Sequence, residues 1–238
     1  MRTGQRLLRP PHWRWWLGGA VALILCVTVI GPYVFLHLVE GPAPRPLSLS
    51  TPRESPTSSS GSTVPISSGV YQVAANSVVE YRVAEILFGQ SATAVGKTST
   101  VSGSMTLDDA TVTGAKFIVA LATVKSNESL RDVQFRGRIM DVAQYPDAVF
   151  TLTAPIALGT LPAVGTVVSV AATGDLIMHG VTRSVTFAIH AEYTGTEIEV
   201  SGSIPITFAN WDIQNPSGGP AQVGNSGAMD FLLYLSHP

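Results

Sequence analysis

Val181-Thr182-Arg183-Ser184-Val185-Thr186-Phe187-Ala188-Ile189-His190-Ala191 has a period of two: Val185, Phe187 and Ile189 share one side, and Ser184, Thr186 and Ala188 the other. Successive side chains of an extended chain point to opposite faces, so this stretch reads as a strand with one apolar and one nearly polar face. Phe117, Val119 and Leu121 repeat the pattern. Short runs rich in Val, Ile, Thr, Phe and Tyr predict strands at 70–73, 78–85, 99–107, 115–124, 148–152, 167–175, 181–191, 197–206 and 229–235. Turns are expected at Asp108-Asp109, Asn127, Gly180, Thr194-Gly195 and Ser217-Gly218-Gly219. Eight or nine strands in that space imply an all-β barrel or sandwich. A barrel of eight leaves an interior that side chains fill or that holds one small ligand, and alternation alone leaves both open.

Two segments depart from the simple pattern. Residues 128–140 (ESLRDVQFRGRIM) carry Leu130, Val133 and Ile139 at mixed spacing among charges, and predict a short helical piece across one end of the barrel. Residues 229–235 (MDFLLYL) are apolar on both faces, which implies a covered outer side.

Working outward from this β-rich domain, at 69–238, the chain changes character. Residues 41–68 are dominated by Pro, Ser and Thr and lack the apolar content to pack, so they read as a linker. As a flexible coil its 28 residues reach about 30 Å, and prolines stiffen it. Before it, residues 15–39 contain no Asp, Glu, Lys or Arg. About 20 apolar residues span the ~30 Å hydrocarbon core of a bilayer, so this run is expected to be one transmembrane helix. Arg2, Arg6, Arg9 and Arg14 precede it and Glu40 follows, placing the tail 1–14 in the cytoplasm and the domain outside the plasma membrane. A cleaved signal peptide, the rival reading, has an apolar region of only ~7–15 residues. Cys26, the sole cysteine, lies inside the apolar run after Leu25, so it is read as lipid-facing packing rather than a lipidation site.

One cysteine excludes a disulfide and a thiolate metal site from the outer domain. That domain carries eight basic and fourteen acidic residues, which disfavours nucleic acid and electrostatic docking on anionic lipid. No GxSxG elbow, P-loop, GxGxxG or HExxH occurs. Asp108-Asp109 reads as turn chemistry, not a catalytic pair. His179 beside Gly180 is expected to hydrogen-bond the turn rather than contact a ligand. Trp211, with Phe208 and Ile213, either lines a pocket or plugs the barrel, plugging being favoured. Arg131 and Asp132 either clamp a polar head group at the barrel mouth or pair locally.

Arg131-Asp132, then Tyr145-Pro146-Asp147-Ala148-Val149-Phe150, then Gly174-Asp175-Leu176-Ile177-Met178-His179-Gly180-Val181-Thr182 resemble, in order and spacing, the YceI-like family from about Tyr71 to Leu235. The resemblance implies a lipocalin-like, eight-stranded antiparallel barrel whose apolar lumen holds a polyisoprenoid or quinone-like lipid, without catalysis; no metal or other cofactor is expected, since His179, His190 and His237 are far apart in sequence. The chain departs from the family's RDxHL element at Gln134 and Phe135, and has Ala74 and Glu85 where the family tends to show Asp and His. Those departures remove polar groups that set head-group choice. Phe117, Val119, Leu121, Val185, Phe187, Ile189, Phe231 and Leu233 are the expected lipid-facing residues, with Arg131 at the head. The alternative is a structural or interaction domain of the envelope with a filled barrel, its protein partners unknown. Small inward residues such as Ala120 or Ala122 would favour the cavity.

Overall fold

The structure, a computed structural model, describes residues 31–34, 43–49, 65–219 and 221–237. The chain divides into two compact units, 1–42 with 88–90, and 43–87 with 91–238. Of the first, only the helical turn Gly31–Val34 and the hairpin residues 88–90 are described. Residues 1–14, expected as a cytoplasmic tail, Cys26, most of the expected span and most of the expected linker lie outside the described residues. No helix among the described residues is long and apolar enough to cross a membrane.

The second unit is all-β. Its strands are β1 (Gly69–Val73), β2 (Val78–Leu87), β3 (Gln90–Thr98), β4 (Val101–Asp108), β5 (Thr111–Ala120), β6 (Lys125–Ser126), β7 (Asp147–Leu152), β8 (Ile156–Ala157), β9 (Val167–Met178), β10 (Val181–Tyr193), β11 (Glu197–Thr207), β12 (Ala221–Val223) and β13 (Ser226–Ser236). Strands β1, β4, β5, β7, β9, β10, β11 and β13 follow one another around the wall, and β13 pairs back onto β1, closing an eight-stranded antiparallel barrel. Closure leaves those strands no free edge to pair with other chains.

β13 holds the closure together because it is long enough for two partners. Its end pairs with β1 through Val73↔Leu235, and its middle pairs with β2 through Val78↔Leu232. The four residues between β1 and β2, 74–77, thus face two of β13. The bulge is repaired by Ser77, whose hydroxyl donates to the carbonyl of Ala74 (2.9 Å) and accepts from the amide of Tyr234 (3.0 Å). Beyond it β2 pairs with β13 as far as Arg82, then leaves that strand to pair with β12 through residues 85–87, with β3 on its other side.

All nine expected strands are present, most of them longer than expected. β3 was not anticipated, because Gln90-Ser91-Ala92-Thr93-Ala94-Val95-Gly96-Lys97-Thr98 offers only small residues to the core. Its buried side is Ala94, Gly96 and Thr98, and the ring of Tyr81 fills the space over Gly96. β5 stops at Ala120, four residues short of the expected end at Val124, and a 3-10 turn, Leu121–Thr123, follows. The helical piece is real: Ser129–Gln134 is α-helical and Phe135–Ile139 continues it as a wider turn.

Candidate functional site

The inward face of the barrel encloses about 130 Å³ of free volume. A water needs only roughly 10–15 Å³ measured this way, so the barrel is hollow rather than filled. Along β9 the lining runs from Val168 through Val170 and Ala172 to Leu176. Eight steps of an extended chain cover ~26 Å, or ~20 Å along the axis of a barrel with strands tilted by about 40°. Nearly every lining residue is apolar; Glu192 and Tyr193, both at one end, are the polar ones.

Three phenylalanines of the wall pack against one another. Phe187 meets Phe150 edge to face at 5.4 Å between centroids and Phe231 at 5.9 Å. Aromatic pairs favour such T-shaped contacts. Two of the rings lie back against the wall because the neighbouring strand offers them glycine. The ring of Phe150 occupies the place a Cβ on Gly174 would take, and the ring of Phe231 the place of one on Gly202. Small residues add to the space, with Ala115, Ala148, Ala172 and Ala191 all lining it. Ala120 and Ala122, the small residues named from sequence, do not line the cavity.

One end is plugged. The 3-10 turn Phe208–Trp211 buries Phe208 and Trp211, with Ile213, Leu121, Met140 and Met178 also in the core but none of them lining the cavity. The indole Nε1 of Trp211 donates to the carbonyl of Leu176 (3.4 Å), and His179 Nδ1 donates to the carbonyl of Trp211 (3.0 Å). Tyr145 packs against His179 at 5.0 Å and over Gly180. The Tyr-Pro and His-Gly elements therefore build the closed end, and His179 is a structural residue.

The opposite end is the mouth, bounded by Ile66, Leu158, Pro162, Val168 and Glu192. There the hydroxyl of Tyr193 donates to the carbonyl of Gly195 (3.1 Å), and burial raises the pKa of its phenol.

Six of the nine residues expected at the site line the cavity: Phe117, Val119, Phe187, Ile189, Phe231 and Leu233. Leu121 does not, because the strand ends one residue earlier and its side chain joins the plug. Val185 has the inward phase and packs on the core, but the cavity does not reach it. Arg131 is also absent from the lining. Its guanidinium donates to Glu85 Oε1 (3.0 Å) and to Asn127 Oδ1 (2.8 Å). Asp132 accepts from the amide (2.8 Å) and hydroxyl (2.7 Å) of Ser126. Both members of the expected clamp are thus engaged, Asp132 with nearby Ser126 and Arg131 with nearby Asn127 and distant Glu85, and they fasten the helical segment to β2. Phe135 completes that fastening by stacking on Tyr81 at 5.2 Å, and burial pushes the Tyr81 phenol up to about 12.

Residues that sequence reasoning missed include Val79, Met105, Phe150, Leu176, Val200 and Met229. Each sits at an inward position of an expected strand or just beside one, so carrying the alternation along every strand would have found them. Among the described residues no group of three His, Cys, Asp or Glu side chains could hold a metal. His190 Nδ1 lies 2.7 Å from the hydroxyl of Ser169 at an exposed position, away from the lumen.

Residues 71–234 match the YceI-like domain. Two UPF0312 proteins, from Vibrio campbellii and Vibrio parahaemolyticus, are each 32% identical over 103 residues, 42% of this chain and 50% of theirs. The chain thus spans about half the length of the curated relatives it matches. Among solved structures, a polyisoprenoid binding domain from Saccharophagus degradans has 17% identity, covering 72% of this chain and all of that one, with a TM-score of 0.57. BcnA of Burkholderia cenocepacia has 21% identity over 66% of this chain and 95% of its own, with a TM-score of 0.53. At these identities the likeness establishes the fold.

Proposed function

From the premise that the chain belongs to the YceI-like family, we propose that it is a lipid-binding protein which holds a polyisoprenoid or quinone-like lipid in the barrel lumen. In this reading residues 15–39 confine it to the plasma membrane, with the tail 1–14 in the cytoplasm and the barrel on the extracytoplasmic side. The observation that carries the lipid is the cavity itself: an almost wholly apolar space running through the barrel to its mouth. The Saccharophagus degradans relative, described as a polyisoprenoid binding domain, supports the same class of guest.

Energetics agree with a guest held by its chain. At ~0.8 kcal/mol per buried CH₂, a ten-carbon stretch gains roughly 8 kcal/mol before ordering costs, so retention needs no charged contact. The arginine expected at the head is committed to Glu85 instead, and Glu192 is the charged side chain among the lining residues. A neutral or weakly polar head projecting from the mouth fits that arrangement better than an anionic one. The filled-barrel alternative loses its premise, since the lumen is hollow.

Mass spectrometry of organic extracts from the purified full chain tests the proposal. An isoprenoid or quinone recovered near one per protein is expected; protein that is folded, lipid-free and unable to take up such lipids sinks it. Sequencing the mature N-terminus tests the anchor, and a terminus beyond residue 39 undoes it.

A further inference from the structure

The mouth of the barrel has an unusual rim. From residue 148 to 174 the chain contains no Asp, Glu, Lys, Arg or His, although this stretch includes a long surface loop, residues 158–166, between β8 and β9. Water-facing loops with no charge at all are uncommon in a protein whose outer domain is otherwise acidic.

The loop is a pinned bridge over one side of the opening. At its start the amide of Leu158 donates to the carbonyl of Ala110 (2.8 Å), in the turn between β4 and β5. At its far end the amide of Gly165 donates to the carbonyl of Tyr193 (2.8 Å), at the end of β10. This fixed course gives the loop two faces. Leu158 and Pro162 turn inward and line the cavity. Leu161, Val164 and, just beyond, Val167 turn outward and are 39%, 42% and 50% exposed.

The segment arriving from the linker meets the same place. Ile66 lines the cavity at the mouth. The two residues that follow it are tied down: the Tyr71 hydroxyl donates to the carbonyl of Ser67 (2.8 Å), and the amide of Asp109 donates to the hydroxyl of Ser68 (2.7 Å). The turn 108–110 thus holds both the loop, through Ala110, and the incoming chain, through Asp109. The tether therefore joins the barrel beside its opening.

We propose that the loop 158–167 is the surface by which the barrel touches a lipid bilayer, so that the lumen's guest passes between membrane and barrel without crossing water. This rests on the lipid-binding reading above. Three arguments favour a bilayer. The exposed Leu161, Val164 and Val167 continue the apolar lining of the lumen onto the surface. The stretch carries no charge that would have to be desolvated on insertion. The chain preceding the barrel enters at this end, through Ser67 and Ser68, and not at the plugged end. With Glu192, Asp108 and Asp109 near the rim and no basic residue in the loop, the contact is apolar, gains nothing from anionic lipid, and on a zwitterionic bilayer is independent of salt.

The test uses the full chain reconstituted in phosphatidylcholine vesicles. With Cys26→Ser as background, a Leu161→Cys variant and a Thr182→Cys control at the plugged end each carry an environment-sensitive fluorophore. Nitroxide quenchers within the bilayer should quench the label at 161 and not at 182, equally at low and at molar salt. In the same vesicles, Leu161→Glu/Val164→Glu should slow uptake of a fluorescent isoprenoid alcohol by about tenfold or more, while the amount bound at equilibrium stays at the wild-type level. Normal equilibrium uptake with an unquenched label and an unchanged rate overturns the docking surface and leaves lipid binding standing. Loss of the quenching contrast together with a change of oligomeric state in the double variant would assign the rim to a second copy instead. No uptake by the wild type overturns both.

Discussion

Filling the lumen from within separates lipid binding from folding. Ala148 and Ala172 are buried, at 2% and 3% exposure, and both line the cavity. Ala172 stands directly opposite Phe187, in the aromatic belt. Replacing both by leucine puts about six carbons where the guest's chain would lie. If each displaces one buried methylene, the guest loses ~5 kcal/mol, three to four powers of ten in affinity. The empty protein should respond in the opposite sense. At ~24 cal/mol per Å³, a 130 Å³ cavity costs the apo barrel about 3 kcal/mol, and the new side chains recover part of this. Ala148→Leu/Ala172→Leu is therefore expected to come through purification without lipid, with the denaturation midpoint of stripped protein equal to or above wild type. Mass spectrometry of extracts and urea unfolding of stripped samples measure the two effects. A variant that folds and still carries wild-type lipid would refute the assignment of the lumen. If the pair overpacks, Ala172→Leu alone should lower lipid content by roughly half those powers of ten in affinity.

Arg131→Ala leaves the buried Glu85 carboxylate without its 3.0 Å partner and should destabilise the domain by roughly 1–3 kcal/mol in urea unfolding. Lipid content should remain unchanged; its loss would restore Arg131 as a head-group contact. Gly174→Ala places a Cβ against the carbonyl of Thr151 and the ring of Phe150, so about 1–3 kcal/mol of stability should be lost and the ring driven into the lumen; an unchanged midpoint with full lipid content would contradict the close packing. Burial raises the carboxyl pKa of Glu80 above 4.5 despite its bond to Arg82. The folded state therefore holds that proton more tightly than the unfolded one, and stability falls as pH climbs from 4.5 through the folded pKa. Glu80→Gln should flatten that part of the midpoint-against-pH curve, and parallel curves for wild type and variant would show that Glu80 is not its source.

The strands were legible because a period of two is a local property. Phe117, Val119, Phe187, Ile189, Phe231 and Leu233 could be assigned to one face from backbone geometry alone, and that face proved to be the lumen. The motif residues were equally visible, but their work was not. Tyr145 and His179 are 34 positions apart in the numbering, yet they pack together as part of the plug. Pattern reading cannot say whether a histidine beside a glycine contacts a guest or holds a neighbouring carbonyl.

What the sequence determined by itself is the class of fold, which side chains share a face, the family, and the expectation of an apolar guest and a membrane anchor. Whether the barrel is hollow was decided by tertiary structure, because free volume depends on how inward side chains from eight strands fit within one closed circumference. The glycines at 174 and 202 matter only once closure sets Phe150 and Phe231 over them. Leu121 and Val185 obey the same alternation as the true lining residues, yet the tube does not reach them. Arg131 is withdrawn from the lumen by Glu85, 46 positions earlier, a pairing that exists only because the helical segment folds back across β2.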